Sequence, residues 1–168
     1  DLRGDLVRLR PLVPDDLDPL LVIMTDPTVA CWWGIWDADK VRAEMIEAPA
    51  EDGVVLGIEV DGRLAGIIQY YEEPDEQYRH AAVDISIGAE WQGRGIGPDA
   101  IRTVIRFLFE QRGHHRITID PALSNDAAIR AYTKVGFKPV GVMRQYEQGP
   151  DGTYHDGLLM ELLRSELI

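Results

Sequence analysis

Residues 92–97, Gln92-Gly93-Arg94-Gly95-Ile96-Gly97, place three glycines at alternate positions directly ahead of Pro98. Glycine permits tight turns that expose successive backbone N–H groups. A helix beginning at Pro98 would add the positive end of its dipole, which together suits a diphosphate. Proline fits the first helical position, where its missing N–H has no helical acceptor to lose. Taken alone, this loop is equally an ordinary strand-to-helix turn. It lacks the closing Gly-Lys-Ser/Thr of a nucleotide P-loop, and no acidic residue follows where a dinucleotide fold requires one. Asp84 lies within an otherwise apolar run, a strand position that aspartate disfavours. A special role and a solvent-facing or ion-paired carboxylate both fit it. Asn125 and Tyr132 stand seven residues apart, two helical turns, so they share a face, although tyrosine on a core-facing stripe is commonly packing. His114-His115 has no partner cluster, so no metal site is expected. Cys31 has no His near it in sequence and is expected as a buried thiol rather than a nucleophile.

Hydrophobic periodicity supplies the elements that must position these residues. Residues 7–12 alternate as a half-buried strand does. Pro14-Asp15-Asp16 starts a helix running to about Thr25, before Pro27. The aromatic cluster Cys31-Trp32-Trp33-Gly34-Ile35-Trp36 reads as a turn, and 37–48 as a second helix. Strands 53–60 and 64–71 flank Asp61-Gly62, a two-residue hairpin turn. Residues 72–79, with Glu72 and Pro74, form an acidic loop. In strand 80–88, Val83, Ile85 and Ile87 face one side, Asp84 and Ser86 the other. Helix 98–111 carries a stripe of Ile101, Val104, Ile105 and Leu108. Strand 116–120, helix 125–135 with Gly136 as its cap, and strands 137–146 and 154–163 complete the chain. The order β, α, α, β, β, β, α, β, α, β, β predicts an α/β fold on a mixed sheet. A parallel pair should flank the long helix, with helices covering both faces.

The two motifs together are more specific than either. Gln92 to Gly97 ahead of the long helix, then Asn125-Asp126-Ala127-Ala128-Ile129-Arg130-Ala131-Tyr132 through Gly136-Phe137 on the next, resemble the GNAT N-acetyltransferase superfamily. The resemblance spans the whole chain in element order and is sharpest over 84–137. It implies one domain over residues 1–168, with a central, mostly antiparallel, twisted sheet containing a splayed parallel pair. It also implies acetyl-CoA as cosubstrate and no metal. Gln92, Gly93, Arg94, Gly95, Ile96 and Gly97 would grip the CoA pyrophosphate, and Asn125 the pantetheine arm. A backbone N–H in the Ile85–Ile87 stretch would stabilise the tetrahedral oxyanion. Asp84 would take the proton of the attacking amine, and Tyr132 would protonate the departing thiolate, with no covalent enzyme intermediate.

A narrower resemblance is to the aminoglycoside 6′-N-acetyltransferases. It rests on Asp26-Pro27-Thr28-Val29 ahead of Trp32-Trp33-Gly34, on Asp84, and on Asp120-Pro121 before Ser124-Asn125. It implies that Trp32, Trp33, Glu72, Asp84 and Asp120 line a site for a cationic amine. Against this, His155-Asp156-Gly157-Leu158-Leu159-Met160 is similar to enzymes that acetylate ribosomal-protein N-termini. A protein N-terminus or a polyamine is therefore the alternative acceptor, and a non-catalytic acyl-CoA sensor the alternative of another class.

The bulk numbers bound these readings. The 168 residues, 45% hydrophobic and 27% charged, suffice for one domain with a real core. No apolar run approaches the roughly 20 residues that span a bilayer. The polar start Asp1–Asp5 does not resemble a secretory signal, and the missing initiator Met leads us to expect that a few native residues are absent. A single cysteine fits a reducing cytoplasm. With 29 acidic against 17 basic residues, the net charge is −12. That field disfavours nucleic acid and anionic membrane and attracts polycations; it also fits solubility alone. The C-terminal strands are placed to pair between subunits of a homodimer.

Overall fold

In a computed structural model, which describes all 168 residues, eight strands form one sheet flanked by helices. The chain begins with strands β1 (Leu2–Arg3) and β2 (Arg8–Pro11), then helices α1 (Leu17–Thr25), α2 (Pro27–Trp33) and α3 (Ala38–Val41). Strands β3 (Val54–Val60), β4 (Arg63–Glu72) and β5 (Ala81–Ile87) lead to the long helix α4 (Ile96–Glu110). Then follow β6 (Arg116–Ile119), α5 (Asp126–Val135), β7 (Lys138–Gln148) and β8 (Tyr154–Leu163). The spatial order is β1-β2-β3-β4-β5-β6-β8-β7, and every pairing is antiparallel except β5 with β6. This is the mixed sheet that the element order implies.

Strand alternation sorts the apolar residues into two cores. On β4 the adjacent Ile67 and Ile68 are both fully buried, yet they join different clusters. Ile68 meets the α4 stripe of Ile101, Val104, Ile105 and Leu108, along with Tyr132 and Val135 of α5. Ile67 meets Leu20, Ile23 and Met24 of α1, Val29 of α2 and Val41 of α3. On β5 the same alternation turns Ile85 toward α4, while Ser86 is buried from the opposite face.

Several local expectations are corrected. Pro27 ends α1 but also starts α2: Asp26 is extended, and its carboxylate accepts the Thr28 N–H at 2.9 Å, leaving Pro27 at the first helical position. The first half of the expected aromatic turn over 31–36 is therefore helical, through Trp33, with Gly34 as its cap. Cys31, on the outer side of that helix, is exposed rather than buried. The expected helix over 37–48 is one α turn capped by Asp37, passing into a π turn over Arg42–Ile46. Helix α4 starts two residues before Pro98, capped by Gly95 in the left-handed region. Pro98 is still in the first turn, where its missing N–H costs no helical bond. Strand β1, two residues long, was too short to carry a periodicity.

The feature that makes a site lies in the middle of the sheet. Strands β5 and β6 pair only at Ala81–Ile117 and Ala82–Thr118, and beyond these residues they separate. The Gly88 amide bonds the Ala65 carbonyl at 2.8 Å. By the alternation of an antiparallel ladder, the amides of Ile85 and Ile87 then point away from β4, into the opened gap. Helices α4 and α5 hold the gap from one face, so the site depends on their packing. Replacing Ile105, fully buried on the α4 stripe, with Ala is expected to lower the unfolding free energy by about 2–5 kcal/mol in urea titrations. A loss below about 1 kcal/mol would mean that the stripe is not a rigid support.

Candidate active site

The gap between β5 and β6 opens into a cavity of about 1020 Å³, at the upper end of the range for small-molecule sites. Its walls come from β5, the 92–97 loop, α2, α5 and the 120–125 segment. The loop is built as an anion cradle. Gly93 and Gly95 both take positive φ, 74° and 79°, which a side chain would strain. The amides of Gly93, Arg94 and Gly95 donate to no backbone carbonyl, and those of Ile96 and Gly97 lie in the first helical turn, where no helical acceptor exists. Five successive donors thus stand at the positive end of α4. The Asp99 carboxylate anchors this terminus: it accepts the amides of Asp5, Leu6 and Val7 at 3.2, 2.8 and 3.1 Å. On the facing helix, Arg130 and Lys134, one turn apart, add positive charge to the same cavity.

The expected site residues separate into three groups. Gly93, Gly95, Ile96, Gly97, Ile85, Ile87, Asn125, Tyr132, Asp84, Asp120, Trp32 and Trp33 all line the cavity. Gln92 lines it too, but its side-chain amide is engaged within the protein, donating to the Ile87 carbonyl at 2.9 Å and Thr28 Oγ1 at 3.3 Å. It therefore ties the loop to β5 and α2. Asn125 likewise caps α5, its Oδ1 accepting the Ala128 N–H at 3.2 Å, which leaves its amide NH₂ to face a ligand. Two expected residues have side chains that lie off the cavity wall. The Arg94 guanidinium lies 5.5 Å over the Trp91 ring, outside the cavity wall. Glu72 ends β4 away from the cavity, its carboxylate bonded to His114 Nε2 at 2.6 Å and to Arg112 Nε at 3.2 Å. Burial works to raise the Glu72 pKa, but these two partners outweigh it and hold the carboxyl below its ordinary value. A carboxylate so neutralised does not attract a cation.

The acidic lining is instead supplied by residues that the sequence reading missed. Tyr146 and Glu147 of β7 line the cavity beside Asp120, with the Tyr146 hydroxyl donating to Asp120 Oδ2 at 2.5 Å. Asp84 opens onto the cavity floor but is crowded by protein on its other sides. That desolvation, reinforced by the charges of Asp120 and Glu147, pushes its carboxyl up to about 7 despite the Ile85 N–H it accepts at 2.9 Å. Burial, and then the charge of Asp120, raises Glu147 as well. The hydrogen bond to Asp120 lifts the Tyr146 phenol to about 12. Tyr132 is 7% exposed and packs edge-on against Phe137 at 6.3 Å between ring centroids. Burial, with Asp84 and Asp120 nearby, raises its phenol so that it stays protonated at neutral pH. A base near neutrality and a protonated phenol thus face one cavity, a pairing suited to general acid–base chemistry.

Comparison with known proteins is consistent with this geometry. Residues 7–138 match the family model described as an acetyltransferase (GNAT) domain. Aminoglycoside N(6′)-acetyltransferase type 1 of Klebsiella pneumoniae is 29% identical, over 89% of this chain and 80% of that protein. A Bacillus subtilis (strain 168) protein named as a candidate ribosomal N-acetyltransferase, YdaF, is 27% identical over 96% of this chain and 91% of its own. Among solved structures, aminoglycoside acetyltransferase AAC(6′)-Ib with coenzyme A and kanamycin superposes with a TM-score of 0.78, at 25% identity. The match covers 95% of this chain and 96% of that one.

The Asp84 shift carries a stability consequence. Its folded-state pKa lies above the usual carboxylate value, so the folded protein holds this proton where the unfolded chain has lost it. The contribution is complete below about pH 4 and is lost as pH rises through about 7. Asp84→Asn should therefore raise the melting temperature relative to wild type more at about pH 8 than at about pH 4. An equal shift at both would show that Asp84 titrates as an ordinary surface carboxylate.

Proposed function

Because the chain belongs to the GNAT acetyltransferase family, we propose that it is an aminoglycoside 6′-N-acetyltransferase, carrying the acetyl group of acetyl-CoA directly to a primary amine of a polycationic amino sugar. The observation that carries this reading is the charge layout of one cavity. Five unpaired amides, Arg130 and Lys134 suit a diphosphate, and Asp84, Asp120 and Glu147 converge where a cationic acceptor would sit. The similarity to an aminoglycoside N(6′)-acetyltransferase and to AAC(6′)-Ib supports the acceptor class.

In this account the 93–97 amides hold the pyrophosphate, and Asn125 directs the pantetheine arm between α5 and β5. The thioester carbonyl comes to lie against the gap-facing amide of Ile87, a donor already aimed where the oxyanion develops. The acceptor arrives as an ammonium, drawn by the carboxylates. Asp84, ionised above about pH 7, takes one proton. The freed nitrogen attacks the carbonyl carbon, the tetrahedral adduct collapses, the C–S bond breaks, Tyr132 passes its proton to the leaving sulfur, and the second proton of the nitrogen returns to the Tyr132 phenolate as the amide forms. Trp32 and Trp33 wall the acceptor side and exclude water.

A second reading, acetylation of a polyamine or of a protein N-terminus, draws on the ribosomal-type relative and the His155–Met160 segment. Thiol release from acetyl-CoA separates the two: turnover with kanamycin or tobramycin supports the amino-sugar reading. Turnover confined to spermidine or to peptides selects the second. With the productive acceptor, kcat/KM should climb with pH through about 7. Asp84→Asn should lose about 10²–10⁴-fold at neutral pH and lose that ascending limb. Tyr132→Phe should lower kcat with the acceptor KM little changed. Full activity in Asp84→Asn would remove Asp84 from the proton path.

A further inference from the structure

We propose that Asp156 and Gly157 are positioning residues that build the acceptor side of the cavity: the Asp156 carboxylate holds a bulge in β7 that presents Tyr146 and Glu147 to Asp120, and Gly157 vacates the space in which the Tyr146 ring lies. The inference rests on the acceptor reading above and extends it to residues outside the cavity wall.

The register shows the device. Met143 pairs with Gly157 and Glu147 with His155, so the three residues Arg144 to Tyr146 stand opposite the single residue Asp156. A bulge of that size leaves ladder groups unpaired. Gln145, at its apex, takes φ of 47°, an uncommon conformation for a residue with a side chain. Its amide, deprived of a β8 carbonyl, donates to Asp156 Oδ1 at 2.8 Å. A carboxylate acceptor makes this bond stronger than a neutral one would.

The next residue completes the arrangement. A Cβ on Gly157 would stand 3.0 Å from Tyr146 Cδ1 and 3.3 Å from Met143 Cε, so a side chain there would press the ring aside by a few tenths of an ångström. With the ring in place, the Tyr146 hydroxyl reaches Asp120. The same two residues fix the other partner of that bond. The Asp156 carbonyl accepts the Leu123 amide at 2.9 Å and Gly157 bridges Ala122, a pairing that the neighbouring Leu158 amide extends to the Pro121 carbonyl at 2.9 Å. One dipeptide of β8 thus sets both the bulge and the segment that follows Asp120. Neither residue belongs to the cavity lining.

The test uses the intact protein and two readouts. In the ligand-free protein, amide exchange at Gln145, read by NMR, should speed up about tenfold or more in Asp156→Ala. Asp156→Asn, which keeps an oxygen acceptor, should remain close to wild type. In steady-state assays with whichever of kanamycin or spermidine the wild type acetylates, Asp156→Ala should raise the acceptor KM about tenfold. The KM for acetyl-CoA should stay within about twofold, which also reports an intact fold; Gly157→Ala should shift the acceptor KM in the same direction. Unchanged Gln145 exchange, or equal rises in both KM values, overturns the proposal, as does failure of Asp156→Asn to restore the acceptor KM. Because exchange is measured without any acceptor, a wild type inactive on both amines would sink the acceptor reading and leave the bulge mechanism decided on its own.

Discussion

The molecule depends on the separation of β5 from β6. A parallel pair normally satisfies its backbone groups across the whole strand; here the ladder stops after two residue pairs. What would be a defect elsewhere leaves backbone donors facing a gap: the amide of Ile87, and that of Ile85, which the Asp84 carboxylate holds. Every other part of the site answers to that opening. Helices α4 and α5 span it on the large-core face, the 92–97 loop closes one side, and the bulged β7 brings acidic groups to the other.

The cavity's polarity follows from where each charge can be accommodated. Positive potential comes from backbone amides at a helix terminus, which have little freedom, and from the Arg130 and Lys134 side chains on one face of α5. Negative charge comes from side chains held in a partly desolvated setting. That setting costs energy, and it appears as the raised pKa of Asp84 and of Glu147. Clustering three carboxylates weakens the folded state and is the arrangement expected where function rather than stability sets the residues.

Much of this was readable in the chain. Glycine spacing marked the anion loop, an aspartate in an apolar strand marked Asp84, and a seven-residue interval put Asn125 and Tyr132 on one helix face. Those features are local, and local patterns survive folding. What was not readable is what depends on partners distant in sequence. Glu72 looked like an acidic wall because Arg112 and His114, forty residues away and more, cannot be seen beside it in the sequence. Tyr146 looked like the last residue of an ordinary strand, and Glu147 lay beyond that strand's expected end, because alternation presumes a regular ladder and the bulge opposite Asp156 breaks it. Pro27 was read as a stop although Asp26 before it is a good N-cap, a pairing that marks a new helix as readily as an old one's end.

Coenzyme binding in the proposed reaction rests on the unpaired amides of residues 93–97 at the start of α4. The most direct measurement is a titration of the ¹⁵N-labelled protein with coenzyme A, followed amide by amide. Large, saturable shifts are expected at Gly93, Arg94, Gly95, Ile96 and Gly97, together with Ile87 and Asn125. Saturable binding that leaves these five amides unmoved, or no binding, would contradict this.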